Sequence, residues 1–288
     1  SCLIIHIYNF MENNLFNSSF AKNSKFDKNF VGNINNINEW LILVNQYKVF
    51  QNKNFSKSKH FYIPKKIHQI WLGGKDIPKR CLKWMESWQK YNNDWDYKLW
   101  DEKSIKELNI KDFDVYSKKL NPGYRSDIIR YIVLNKYGGL YVDTDFECVK
   151  KIPDKFLYYK FVAGMMFSNN PIIGNSILMS SPNYVLLEKV LDYIKTIKYK
   201  NDINYIIKNS GPETITREYF ALVEEIKKSS LILPSNYFYP FPNFMLNKKI
   251  DRYDEVEDIS VGIHHWEMTW MKGNILNRIK NKLRVIFK

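Results

Sequence analysis

Residues 124–147, YRSDIIRYIVLNKYGGLYVDTDFE, constrain the fold more than any other stretch of the chain. A helical pattern runs to Gly138, where a glycine ends it in the usual way. Only the pair Gly138-Gly139 separates that helix from an apolar, strand-like run through Tyr141 and Val142. Similar units lie on either side. KIHQIWLG reads as a strand closed by Gly73 and Gly74, PKRCLKWMESWQKY as an amphipathic helix after Pro78, and WDYKLWD as a short strand. FVAGMMF supplies another strand, and PNYVLLEKVLDYIKTI and TITREYFALVEEIKK supply helices. Strands alternating with helices predict an α/β sheet with helices on its faces.

With 288 residues, 45% of them apolar and 16% aromatic, the chain can bury a sizeable core. Residues 1–60 are rich in Asn, Lys, Ser and Phe and form an N-terminal helical extension. Its one clear helix, INEWLILVNQYKVF, has Trp40, Leu41, Val44 and Val49 on one face. Residues 61–273 form the α/β domain. Residues 274–288 close the chain as a basic amphipathic helix, with Ile275, Ile279, Leu283 and Ile286 along one stripe. That helix suits peripheral contact with an anionic membrane, or packing on the domain.

The formal net charge of +14 implies attraction to anions. No zinc finger, RNP motif or recognition helix accompanies it, and the basic residues are scattered, so nucleic acid is not the expected partner. Cys2, Cys81 and Cys148 are widely spaced without a CxxC, which fits a reducing, cytoplasmic compartment. SCLIIHIYNF is too short to span a bilayer, and because the chain opens on Ser, an upstream anchor stays open.

Against this basic background, Asp143 and Asp145 stand one residue apart after an apolar strand. On a continuous strand, residues i and i+2 point to the same side, so the two carboxylates are expected to project together with Thr144 facing away. Two converging carboxylates make a hard oxygen site suited to Mn²⁺ or Mg²⁺. Asp127 and Arg130, three apart on the preceding helix, share a face. They form either an intrahelical salt bridge or a pair facing the same cleft, where they can grip hexose hydroxyls.

IHQIWLGG, YRSDIIRYIVLNKYGGLYVDTDFE, IIGNSILMSSPNY, GPETIT and HHWEMTW occur in the order expected of DXD-containing sugar-transferring glycosyltransferases. Over residues 62–271 the chain resembles that family, which includes initiating mannosyltransferases, α-1,4-galactosyltransferases and capsule enzymes. More distantly it is similar to the glucosyltransferase domain of large clostridial toxins. The resemblance implies a GT-A fold, a nucleoside diphosphate sugar donor, a divalent metal and retention of anomeric configuration. UDP is the favoured nucleotide and GDP-mannose the alternative donor. The implied acceptor is a glycan, a glycolipid or other lipid-linked sugar, or a protein. Asp143 and Asp145 match the metal-binding pair, with Asp145 the more direct ligand, and Asp127 and Arg130 match the positions that hold the donor sugar. Ile70, Trp71 and Tyr141 fall on the donor side, with Trp71 matching an aromatic that stacks on the base or, equally, a core tryptophan. His264, with His265 as the alternative, matches a histidine that completes the metal shell. Trp266 and Trp270 are expected to close over the diphosphate or sugar, and Asn175 to contact sugar or acceptor. The chain lacks the His-Pro that often follows the GNS segment, which weakens any inference about the acceptor side.

Overall fold

The computed structural model describes residues 34–55, 60–168, 170–243, 246 and 251–267. The expected helix at 274–288 and Trp270 lie outside the described residues.

Helix α1 (Ile34–Asn52) buries Trp40, Leu43, Val44, Tyr47 and Phe50, a 3–4 repeat that forms one apolar face. The expected face is corrected at one position: Val49 is 64% exposed, because it lies off the 40-43-44-47-50 line. Strand β1 (Lys66–Ile70), helix α2 (Lys79–Tyr91) and strand β2 (Asp96–Trp100) form a parallel β-α-β unit. Helix α3 (Pro122–Tyr137) follows and leads into β3 (Gly139–Val142), which pairs in parallel with the other side of β1.

The remaining strands are β4 (Phe146–Cys148), β5 (Phe161–Met165), β6 (Ile173–Ser180), β7 (Ser230–Leu233) and β8 (Gly262–His264). They give a six-stranded sheet in the order β2-β1-β3-β6-β5-β7 and a separate two-stranded ladder of β4 with β8. β6 runs antiparallel to β3 and β5, so the sheet is mixed. Helices α4 (Val185–Thr196), α5 (Ile203–Asn209), α6 (Pro212–Phe220) and α7 (Glu224–Lys227) complete the α-helices among the described residues. The single helix expected over 214–228 is two, because the chain leaves helical geometry between Phe220 and Glu224. β6 and β7 carry no alternation of polar and apolar residues, being buried almost throughout, and periodicity does not mark them.

This is a mixed α/β sheet with helices packed against it, and its topology says where a ligand can sit. From β1 the chain moves to β2 on one side and to β3 on the other. At such a reversal the loops after the strands diverge and leave a crevice beyond their carboxyl ends. Helix α3 is fitted to deliver residues there. Asn121 caps it, its side chain accepting from Gly123 N at 2.8 Å, and Pro122 takes the first-turn position. At its other end Gly138 and Gly139 adopt φ of +63° and +101°. A Cβ at Gly139 would lie 2.5 Å from the Lys66 carbonyl oxygen, so only glycine lets β3 enter beside β1. His68 holds this turn, with its Nε2 2.9 Å from the Gly138 oxygen and its Nδ1 3.3 Å from Trp100 Nε1. The indole can only donate, so Nδ1 accepts and Nε2 carries the proton toward Gly138. Burial lowers this imidazole to a pKa of about 4, in keeping with the neutral form.

Candidate active site: an acidic turn over a deep cleft

A cleft of about 710 Å³ opens at the carboxyl ends of β1 and β3. Ile70, Trp71, Asp127, Arg130, Asp143 and Asp145 all line it. So do Tyr141, Asn175, His264 and Trp266, so every described residue singled out from the sequence, apart from the alternative His265, reaches one cavity.

The acidic pair converges for a different reason from the one expected. β3 ends at Val142, and Asp143-Thr144-Asp145 forms a turn closed by Phe146 N donating to Asp143 O at 3.2 Å. A turn, rather than the two-residue pleat, therefore brings the carboxylates together, and Thr144 is buried at 8% exposure. Two further contacts hold the turn. Asp143 N donates to Ser176 O on β6 at 2.8 Å, and Gln69 Nε2 donates to Asp143 O at 3.2 Å. Gln69 is itself oriented by the Tyr97 hydroxyl at 2.9 Å.

Arg130 joins helix to turn. Its guanidinium lies 3.1 Å from Asp127 Oδ1 and 3.3 Å from Asp143 Oδ1, over the Tyr141 ring at 4.5 Å, and donates to Asn175 O at 2.5 Å. Both alternatives drawn from the sequence hold together, since the Asp127–Arg130 pair is intrahelical and also faces the cleft. It is buried, so the attraction is poorly screened. Asp127 Oδ1 also accepts from Asn175 Nδ2 at 3.0 Å, and its Oδ2 from the Ser210 hydroxyl at 2.8 Å. Burial pushes the Asp127 carboxyl up to about 6, against the pull of Arg130 and the Ser210 bond. Asn175, expected to meet sugar or acceptor, lines the cleft and donates its amide nitrogen to Asp127 and, at 3.2 Å, to Tyr131, so it also orients Asp127. Asp143 accepts from the Tyr141 hydroxyl at 2.5 Å on the same Oδ1 that faces Arg130. Trp71 stands at the end of β1, its indole donating to Lys75 O at 2.6 Å.

The C-terminal strand brings the remaining group. His264 on β8 stacks on Phe146 and sets its Nε2 3.2 Å from Asp145 Oδ1. Glu267 N donates to Asp145 Oδ2 at 2.8 Å, and His265 N to Asp145 O at 2.9 Å. Burial opposes charge on Asp145, yet His264 and the Glu267 amide outweigh it and hold the carboxyl below the usual range. Of the two histidines, His264 is the one beside the acidic pair; His265 turns to Glu147 at 2.9 Å. Trp266 packs on His264 at 3.9 Å and donates to Phe241 O, with a left-handed φ of 57°.

Ligand atoms of Asp143, Asp145 and His264 lie within 4.8 Å of one another, a separation that a single cation can bridge. The His264 Nδ1 is buried with no hydrogen-bond partner among the described residues. Two carboxylates and an imidazole suit a divalent first-row ion. Gln69, Ser210 and Glu267 carried no assigned role in the sequence. Gln69 and Glu267 lie within recognised motifs and Ser210 directly before one, but no periodic or spacing signal marks any of them.

Residues 78–163 match the family model described as the glycosyltransferase sugar-binding region containing the DXD motif. The chain is 27% identical over 197 residues to an uncharacterized glycosyltransferase of Acanthamoeba polyphaga mimivirus, covering 62% of this chain and 73% of that one. It is 32% identical over 167 residues to a mannosyl phosphorylinositol ceramide synthase of Saccharomyces cerevisiae, covering 56% of this chain. The match spans only 43% of that synthase's length. Among solved structures, the PaToxG glycosyltransferase aligns with a TM-score of 0.41 and 22% identity over 64% of this chain and 80% of its own. No helix among the described residues is long and apolar enough to cross a membrane. Residues 78–163, which contain the acidic turn, are thus similar to the DXD-containing sugar-binding region of glycosyltransferases.

Proposed function

We propose that the protein transfers a hexose from a nucleoside diphosphate sugar to a glycan, lipid-linked or protein acceptor, with retention at the anomeric carbon. The observation that carries this reading is the placing of Asp143, Asp145 and His264 within 4.8 Å of one another in the cleft that Asp127 and Arg130 also line. These three side chains would hold the cation, and the imidazole among them favours manganese over magnesium. When bound, such an ion supplies positive charge against the diphosphate leaving group.

The chain's own residues do the rest. Arg130, fixed by two carboxylates and the Asn175 carbonyl, presents a charge that needs no reorganisation as the leaving group develops negative charge. Asp127, oriented by Ser210 and Asn175, accepts from donor-sugar hydroxyls and aligns the anomeric carbon. Trp71 offers a flat face to the base. The leaving phosphate helps deprotonate the acceptor on the same face.

UDP is the favoured nucleotide. A mannose donor, GDP-mannose, is the second reading, favoured by relatives named mannosyl phosphorylinositol ceramide synthase and inositol phosphoceramide mannosyltransferase. Those names also support a lipid-linked acceptor, and the basic, amphipathic sequence of residues 274–288 suits contact with an anionic membrane. A screen of nucleotide sugars for Mn²⁺-dependent release of free diphosphate tests the donor without a known acceptor. Asp143→Ala combined with Asp145→Ala should abolish that release while the protein stays folded. Unchanged release by the double variant refutes the assignment.

A further inference from the structure

The strap from His264 to Glu267 makes three separate contacts to Asp145, through the His264 ring and the amides of His265 and Glu267. What keeps it there is not obvious from β8 itself. The β4–β8 ladder has only three residue pairs, Phe146 with His264, Glu147 with Ile263 and Cys148 with Gly262. A ladder so short has little stability of its own. The backbone at Trp266, just beyond it, is in the left-handed region that non-glycine residues avoid at a cost of about 1–3 kcal/mol.

A second cluster lies beside it. Side chains alternate along β4, so Glu147 points away from the buried Phe146 and Cys148. His265 follows one residue after β8 and sits diagonally across the ladder from Glu147, a spacing that long side chains can bridge. The two meet at 2.9 Å between His265 Nε2 and Glu147 Oε2. Tyr253 donates its hydroxyl to the same Glu147 oxygen at 2.8 Å. Arg252 Nη1 lies 2.9 Å from His265 Nδ1 and 3.0 Å from the His265 carbonyl oxygen. Trp84 on α2 stacks on the imidazole at 3.9 Å with only 7° between the planes. A guanidinium can only donate, so Nδ1 is an acceptor and the ring's proton sits on Nε2, directed at Glu147. His265 is thus held on both nitrogens and one face by β4, α2 and the turn at Arg252–Glu255.

We propose that Glu147 and His265 are positioning residues that hold the strap on Asp145 and thereby set the affinity of the cation site. The inference rests on the reading of Asp143, Asp145 and His264 as that site. Neither Glu147 nor His265 is among the three grouped ligands; they act through the backbone that carries His264 and the Glu267 amide. Groups that orient metal ligands in this way typically change metal affinity by about 10–100-fold when removed.

The test titrates Mn²⁺ into the full chain in the presence of UDP and, separately, of GDP, reading free Mn²⁺ by electron paramagnetic resonance. Glu147→Ala and His265→Ala should each weaken Mn²⁺ binding by about tenfold or more, and Glu147→Gln, which keeps an acceptor for His265, should recover much of the loss. Tyr253→Phe removes one hydroxyl from a half-exposed side chain, so folding is not at stake, and should weaken binding several-fold with an unchanged melting temperature in EDTA. Wild-type affinity in Glu147→Ala and Tyr253→Phe, beside a wild type that binds and an Asp145→Asn that does not, overturns the positioning role alone. No Mn²⁺ binding by the wild type with either nucleotide overturns the cation site and this inference with it.

Discussion

Arg130→Met removes the guanidinium that faces both Asp127 and Asp143 while keeping a side chain of similar length. The two ion-pair separations are 3.1 and 3.3 Å. At an effective dielectric of about 20, each is worth about 5 kcal/mol of gross attraction. Burying the guanidinium offsets a large part of that sum. The variant, however, leaves Asp127 buried at 7% exposure with no cation beside it, and breaking such a pair costs about 3–5 kcal/mol. For a chain of this length about 2 °C is lost per kcal/mol, so the melting temperature should fall by about 6–10 °C. Thermal unfolding followed by circular dichroism measures it, at low and at high salt. Because the pair is buried, the loss should be nearly the same at both ionic strengths. Adding Asp127→Asn to Arg130→Met should restore part of the stability, since the stranded charge is gone, but none of the donor hydrolysis. A loss below about 2 °C, or one that vanishes in high salt, would mean that Asp127 and Arg130 are an ordinary exposed helix pair, and the argument for a charged cleft wall would fail.

Gly139→Ala should cost about 2–5 kcal/mol in chemical denaturation, because its Cβ meets a backbone oxygen at 2.5 Å and φ is +101°. Gly74→Ala, with φ of +67° and open space around the Cβ, should cost only about 1–2 kcal/mol; equal losses at the two sites would refute the close-approach reading. Asp127 has its folded-state pKa raised from 3.8 to about 6, so the folded state binds the proton more tightly. Its contribution is present below about pH 4, is lost as the pH climbs through about 6, and is flat above that. The change is on the order of 3 kcal/mol. The difference in urea midpoint between Asp127→Asn and wild type should therefore move in the variant's favour from pH 4 to 7, and a pH-independent difference would contradict the assignment.

Much of the site was legible because its residues cluster in sequence. Asp127, Arg130, Gly138, Gly139, Asp143 and Asp145 fall within 19 consecutive positions spanning one helix, one glycine turn and one strand. Local rules suffice to bring such neighbours together. The failures have equally local causes. The pleat argument assumed that β3 runs on through Asp145, whereas a turn begins at Asp143, and period-two reasoning has no means of locating the last residue of a strand. Val49 was misplaced because one helical position is 100° of rotation, enough to move a side chain from the core to solvent.

The amino-acid sequence by itself determined strand β1, helix α3 and strand β3, the glycine-forced junction of α3 with β3, and the acidic character of the turn, since each depends on residues a few positions apart. Only the tertiary structure decided which histidine faces Asp145, that Ser210 and Asn175 bond to Asp127, and that Glu147 meets His265. Those contacts join residues separated by 119, 83, 48 and 118 positions. No local periodicity encodes such pairings; they follow from where β6 and β8 come to lie once the common core has been packed.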